Sequence, residues 1–274
     1  MGAAATIEGL LRDSGLPRPE AEVLLRSALD CERIRLVTGA LEPVDPSKSR
    51  LARAWFARRR SGEPVAYITG LREFYGIALR VSPDVLIPRP ETELLVDLAL
   101  ERLPAGSSAR VLELGTGSGA IAVALATRRP ELGIVATDVS EATLALATSN
   151  ACGQGVEIEF IQSDWFEAIG PGRFDLIVSN PPYVAAGDPH LAQGDLPYEP
   201  RLALVGGDDG LACIRAIAAG AREHLRPGGA LLLEHGYDQA ERCVAILADL
   251  GYRDVGDFSD LAGLPRVCTG VWRG

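Results

Sequence analysis

The 274 residues predict a doubly wound α/β fold: a mostly parallel sheet of seven strands with helices on both faces, preceded by a small helical domain. Three observations predict it. Beyond residue 90, short apolar runs alternate with stretches of helical periodicity. The first of these runs empties into a glycine-rich loop, Gly115-Thr116-Gly117-Ser118-Gly119. The first seventy or so residues carry helix starts and stops instead of strand alternation.

In chain order, Pro17 and Pro19 start a helix through Leu24, Leu25 and Leu29. Asp45-Pro46 supplies an N-cap and a first helical position, and Gly62 is the stop for that helix. Residues 74–81 alternate as a strand; Ser82-Pro83-Asp84 is a turn, and Val85-Leu86-Ile87 is expected to pair back as a hairpin joining the domains. The expected boundaries are 1–72 for the helical domain, 73–90 for the hairpin and 91–274 for the α/β domain. Residues 91–103 are helical, 110–114 a strand, 120–127 a helix, 134–137 a strand and 141–150 a helix. Strands follow at 157–161 and 174–178, a helix at 211–225, a strand at 230–234 and a helix at 238–250. Two last strands lie near 252–255 and 267–272.

A composition of 47% hydrophobic and 23% charged residues fits a soluble globular protein, and no apolar stretch approaches membrane-spanning length. The N-terminal residues do not read as a signal peptide. Cys31, Cys152, Cys213, Cys243 and Cys268 are odd in number and widely spaced, and His190, His224 and His235 show no ligand spacing. Reduced thiols in a cytoplasmic protein are expected, with no disulfide framework and no metal. The net charge of −10 divides into +3 through Pro90 and −13 beyond it. The acidic part would repel a phosphate backbone, so no stable nucleic-acid partner is expected; Arg58-Arg59-Arg60, the densest basic patch, reads as a solvated helix end.

The chemistry concentrates at strand ends. Glu113 and the loop from Gly115 to Gly119 stand between a strand and a helix, where backbone N–H groups can meet a ligand. With Ala120 the loop also satisfies a dinucleotide fingerprint. Asp138 ends the second strand of the series, where a carboxylate can accept both ribose hydroxyls. Asp164 and Trp165 follow the third, placed to clasp an adenine by its amino group and its ring. Ser179-Asn180-Pro181-Pro182-Tyr183 then ends the fourth, at the sheet edge near the switch point. Two prolines remove two donors and fix two φ angles, leaving a stiff corner of acceptors beside an amide and an aromatic ring. Such a corner suits a flat group bearing an NH2, and a hydride-transfer enzyme has no use for it.

Asn180-Pro181-Pro182-Tyr183 resembles the active-site motif of amino-group methyltransferases that use S-adenosylmethionine, among them adenine-N6, guanine-N2 and glutamine-N5 enzymes. The helical N-terminal part, Pro64-Val65-Ala66-Tyr67-Ile68, the hairpin, and Arg89-Pro90-Glu91-Thr92-Glu93 narrow the resemblance to the release factor glutamine methyltransferases of the PrmC/HemK type. Gln162-Ser163-Asp164-Trp165-Phe166 and Tyr198-Glu199-Pro200-Arg201 are similar to that family too. The resemblance implies a Rossmann-like methyltransferase domain and S-adenosylmethionine as cofactor, with S-adenosylhomocysteine as product. It implies methylation of the glutamine of a Gly-Gly-Gln motif in a peptide chain release factor by a monomer whose N-terminal domain recognises the substrate. The alternatives are glutamine-N5 methylation of a ribosomal protein and amino methylation of a nucleic-acid base.

On this reading the Asn180 side-chain carbonyl and the Pro181 backbone carbonyl accept the two N–H bonds of the attacking nitrogen. Pro182 stiffens the corner and Tyr183 covers the flat amide. Glu113, Gly115, Thr116, Gly117, Ser118, Gly119, Asp138, Asp164, Trp165 and Asn180 hold the cofactor. Arg89 and Glu199 either line the groove that admits the substrate or form an interdomain ion pair.

Overall fold

A computed structural model describes residues 5–170 and 172–274. It comprises two compact units, one of residues 1–71 with Ala192–Tyr198 and one of Arg72–Leu191 with Glu199–Gly274. The break differs from the expected boundaries in two ways. The whole of the expected hairpin, 73–90, belongs with the α/β unit, and a seven-residue excursion, Ala192–Tyr198, belongs with the helical one.

The helical unit is built from α1 (Ile7–Arg12), α2 (Arg18–Leu29), α3 (Arg33–Thr38), α4 (Pro46–Arg60) and α5 (Val65–Thr69). Asp45 caps α4 by accepting from the backbone N–H groups of Ser47 and Lys48, and Pro46 occupies the first turn as its missing N–H permits. Leu10, Leu24, Leu25, Phe56 and Ile68 form its core. The basic run at the end of α4 is neutralised locally. Arg58 pairs with Glu63, Arg59 with Glu20 and Asp195, and Arg60 donates to the Ser14 carbonyl.

The second unit opens with β1 (Leu71–Phe74) and β2 (Ile77–Arg80), a two-stranded sheet. The sequence reads 74–81 as one strand pairing with Val85-Leu86-Ile87; instead the chain turns at Tyr75-Gly76, both with positive φ (54° and 79°), and 85–87 form no strand. Tyr75 is an unusual occupant of a tight turn. Its N–H donates to Glu93 at 2.8 Å and its hydroxyl to Asp97 at 2.6 Å, so tertiary partners hold a conformation that local propensity opposes.

A 3-10 turn, Pro90–Thr92, leads into α6 (Glu93–Arg102). Then come β3 (Arg110–Leu114), α7 (Ala120–Arg128), β4 (Gly133–Asp138), α8 (Glu141–Gln154), β5 (Glu159–Gln162) and β6 (Phe174–Ser179). The chain ends with α9 (Ala212–His224), β7 (Leu225–Glu234), α10 (Ala240–Asp249), β8 (Arg253–Ser259) and β9 (Pro265–Val271). The seven strands lie in the order β5-β4-β3-β6-β7-β9-β8, parallel except for β9, which runs antiparallel to β7 and β8. Side chains alternate between faces along each strand. Val111, Leu176, Val178 and Leu232 meet α6 and α7 on one face; Leu112, Ile177, Leu231 and Leu233 meet α9 and α10 on the other. The chain reverses its winding between β3 and β6, neighbours at the centre of the sheet, and the crevice of such a sheet opens at their carboxyl ends.

Candidate active site

A cavity of about 550 Å3 opens where β3, β4, β5 and β6 end. Its wall includes Glu113 on β3 with Gly115, Thr116, Gly117 and Ser118 after it, Asp138 as the last residue of β4, Asp164 and Trp165 after β5, and Asn180 and Pro182 after β6. Arg89 and Thr92 close it from the segment preceding α6. Four consecutive strand ends therefore bring together residues spread from Glu113 to Pro182.

Glu113 and Asp138 are held by their neighbours. Glu113 is fully buried; its Oε2 accepts from the Thr116 hydroxyl at 2.7 Å and from the Ala122 N–H at 3.1 Å. Burial pushes its carboxyl up to about 8, against those two hydrogen bonds and with help from nearby Asp138. Asp138 accepts from Gly117 N–H and Ser140 N–H, both at 3.1 Å, and burial raises its carboxyl as well. Each Asp138 oxygen keeps a lone pair for a further donor. Asp164 is exposed. Trp165 is held at φ 45°, a costly conformation for a bulky residue. The Ser163 hydroxyl stabilises that turn, donating to the Trp165 carbonyl at 3.0 Å and accepting from Ala168 N–H at 3.0 Å.

The Asn180 amide has a defined direction. Its Nδ2 donates to the Thr92 hydroxyl at 3.1 Å, so its Oδ1 points elsewhere. Among the described residues, no group donates to Asn180 Oδ1 or to the Pro181 carbonyl. The loop carrying this corner is backed by a second loop. Val184 N–H donates to the Leu204 carbonyl, Gly206 N–H to that of Val184, and Ala186 N–H to that of Gly207, each at 2.9 Å. The approach is so close that a Cβ on Gly206 would lie 2.3 Å from the Pro182 carbonyl oxygen.

Four expected site residues stand elsewhere than on the cavity wall. Gly119, at φ 81°, marks the start of α7, and a Cβ there would meet Ala147 of α8 at 3.2 Å; it serves helix packing. Pro181 is buried, and only its carbonyl is left to act. Tyr183 packs against the core with its hydroxyl donating to Glu234 at 3.2 Å, so its ring does not cover an incoming amide. Glu199 spends its buried carboxylate on Arg89 and on the Ile87 N–H. That ion pair lies within the α/β unit and is not interdomain; Arg89 lines the cavity and Glu199 holds it there.

The sequence reading passes over Thr92 and Glu234. Thr92 sits inside the Arg-Pro-Glu-Thr-Glu segment, and Glu234 is the lone charge at the end of the apolar run Ala230-Leu231-Leu232-Leu233, which was the available signal. It also misses a buried cluster: ligand atoms of His235, Cys243 and Cys268 lie within 4.8 Å of one another. Both ring nitrogens of His235 are within hydrogen-bond distance of acceptors, Nδ1 of the Gly236 carbonyl at 2.9 Å and Nε2 of Asp257 at 2.5 Å. All five cysteines are free thiols.

A seven-stranded α/β sheet with a cavity at its carboxyl edge accommodates a methyltransferase, and the comparisons show that class. A family model for the methyltransferase small domain matches residues 92–194, and one for the PrmC N-terminal domain matches residues 3–70. The solved structure of a methyltransferase from Pyrococcus furiosus shares the fold, with a TM-score of 0.56 at 21% identity over 80% of this chain and 98% of that one. The chain is 49% identical to a release factor glutamine methyltransferase of Burkholderia pseudomallei, over 97% of this chain and 96% of the relative. It is also 49% identical to one of Bordetella pertussis, over 96% and 98%. The chain belongs to the release factor glutamine methyltransferases.

Proposed function

We propose that this chain transfers a methyl group from S-adenosylmethionine to the side-chain amide nitrogen (N5) of the glutamine in the Gly-Gly-Gln motif of a peptide chain release factor. One observation carries the reading. On the wall of a cavity lined by the glycine loop, Glu113 and Asp138, Asn180 turns its amide nitrogen toward Thr92 and leaves its carbonyl oxygen without a donor. Beside it the Pro181 carbonyl is likewise unengaged among the described residues. Two acceptors at one rigid corner suit the two protons of a primary carboxamide.

The residues fit the cofactor. Glu113 is an acidic partner for a cationic amino-acid moiety, Asp138 for ribose hydroxyls, and Asp164 with Trp165 for an adenine. Bound there, S-adenosylmethionine supplies an electrophilic methyl group on a sulfonium. The protein's own part concerns the nitrogen. An amide nitrogen is a weak nucleophile because its lone pair is delocalised into its C=O. Acceptors on both N–H bonds orient it and strengthen as it becomes cationic, which stabilises the transition state more than the ground state. In-line placement supplies much of the remaining rate. The methylated nitrogen is acidic and loses its extra proton without a dedicated base.

The acidic α/β domain and the ion-paired Arg58 and Arg59 support a protein substrate over a nucleic acid. The helical unit is proposed to recognise that substrate, with the enzyme acting as a cytoplasmic monomer. Among the described residues no helix is long and apolar enough to cross a membrane. Mass spectrometry of a release factor incubated with enzyme and cofactor tests the proposal. The expected result is a gain of one methyl on the Gly-Gly-Gln glutamine; an unmodified glutamine after exhaustive incubation rejects it.

A further inference from the structure

Gln239, the N-cap residue of α10, is buried, and both ends of its side-chain amide are engaged. Its Oε1 accepts from Gly236 N–H at 2.8 Å, and its Nε2 donates to the Tyr183 carbonyl at 2.9 Å. These partners fix the direction of the amide. A backbone N–H only donates and a backbone carbonyl only accepts, so a reversed amide would meet both with the wrong atom. Among the described residues, Gln239 is the only donor to the Tyr183 carbonyl.

The neighbouring chain is shaped around this bond. Gly210 has φ 74°, and a Cβ there would stand 2.3 Å from the Tyr183 carbonyl oxygen and 2.7 Å from Gln239 Nε2. Only a residue without a side chain leaves room for the contact. One turn of loop earlier, Gly206 makes the same allowance for the Pro182 carbonyl. Two consecutive carbonyls of the Asn-Pro-Pro-Tyr segment are thus closely backed by glycines, and the second is also held by a hydrogen bond.

We propose that Gln239 is a positioning residue for methyl transfer: by holding the Tyr183 carbonyl it sets the Asn180-Pro181-Pro182 corner at the cavity wall. The inference rests on the roles given above to Asn180 and the Pro181 carbonyl. Its transmission is covalent and short. Pro181 and Pro182 have φ locked at about −65°, so the segment from Asn180 to Tyr183 has few torsions in which to absorb a displacement. At its start the Asn180 side chain is tied to the Thr92 hydroxyl at 3.1 Å; at its end the Tyr183 carbonyl is tied to Gln239 at 2.9 Å. Between the tethers stand the two acceptors offered to the substrate nitrogen, Asn180 Oδ1 and the Pro181 carbonyl. Remove Gln239, and the Tyr183 carbonyl loses its only protein donor; its peptide plane turns toward another partner and carries the proline pair with it. Acceptors that stabilise a transition state must be placed to within ~0.5 Å, so a small swing is enough to matter. Neither Gln239 nor Tyr183 lines the cavity, so this effect does not pass through contact with the cofactor.

The test is steady-state kinetics of the full-length enzyme with a release factor, with calorimetry for S-adenosylmethionine and circular dichroism to show that each variant is folded. Gln239→Met fills the same space without a donor. Gln239→Asn keeps an amide that is one methylene too short for the span, and asparagine is favoured at a helix start, so α10 is preserved even if the methionine variant does not fold. Both substitutions should lower kcat roughly 10- to 100-fold, the scale for a reacting group misplaced by about 1 Å. KM for the release factor and affinity for the cofactor should stay within about twofold of wild type. In an Asn180→Ala background the loss on replacing Gln239 should be smaller than in the wild type, because the two act on one corner. Full kcat in a folded Gln239→Asn enzyme, a loss confined to KM or to cofactor affinity, or losses that multiply fully with Asn180→Ala would each overturn the proposal. Asn180→Ala alone separates this from the reading it rests on. If that variant turns over normally, the assignment of Asn180 fails; if it is slow while the Gln239 variants are not, only the role of Gln239 fails.

Discussion

Cofactor binding should release a proton from Glu113. The carboxyl lines the cavity proposed to hold S-adenosylmethionine, whose amino-acid end is cationic, and only the carboxylate attracts a cation. Its pKa stands at about 8 in the free protein, because burial outweighs the hydrogen bonds from Thr116 and Ala122. The ionised fraction is then about 1% at pH 6 and about 9% at pH 7. Affinity for S-adenosylmethionine should therefore rise about ninefold across that single unit, with about 0.9 proton released per molecule bound at pH 7. Above this window the cofactor's own α-amino group, near pKa ~7.7–8.0, begins to lose its charge, so the clean range is pH 6–7. Isothermal titration calorimetry in two buffers of different ionisation enthalpy reads both quantities. Glu113→Gln should flatten the dependence. Equal wild-type affinity at pH 6 and pH 7, with no buffer-dependent heat, would refute the role given to this carboxyl.

Three further outcomes are expected. Asn180→Ala should keep its cofactor affinity and lose on the order of 10²–10³ in kcat, the scale for one transition-state hydrogen-bond partner; single-turnover kinetics checks it. Deleting residues 1–70 should raise KM for the release factor and leave cofactor affinity alone, while unchanged kinetics would give the helical unit a purely structural role. Gly206→Ala should cost about 1–3 kcal/mol in thermal or urea unfolding and lower kcat as well, because the new methyl group displaces the Pro182 carbonyl next to Asn180.

What the sequence made legible was whatever repeats along the chain. Apolar runs at strand spacing gave all seven strands, and the residues just past β3, β4, β5 and β6 could be named because chemistry in such a sheet gathers at strand ends. What it hid depends on contacts across the chain. Tyr75 reads as a strand residue until Glu93 and Asp97 are seen holding it in a turn. Tyr183 reads as an aromatic lid until its hydroxyl is seen on Glu234, 51 positions away. Thr92 and Asn180 are 88 positions apart, and no periodicity links them. Gly206 shows its constraint only beside the Pro182 carbonyl. The helical unit claims Ala192–Tyr198 through bonds such as Tyr198 hydroxyl to Ser61 carbonyl, which no local pattern announces.

The hidden features share a thermodynamic sign. Trp165 at positive φ costs on the order of 1–3 kcal/mol, and Glu234 buries a carboxyl with an unsatisfied oxygen. Both support the cavity wall, where local rules of stability are expected to yield to function. For Glu234 the cost has a pH signature. Its carboxyl has an ordinary value of 4.5 and stands at about 7 in the fold, so the folded state holds more protons than the unfolded one between those values. Stability must fall as pH rises through that window, since ionising the buried group works against folding. Glu234→Gln cannot ionise and escapes the fall. Its melting temperature relative to wild type should therefore be higher at pH 8 than at pH 5. A stability difference equal at the two pH values would mean that the carboxyl titrates alike in the folded and unfolded states.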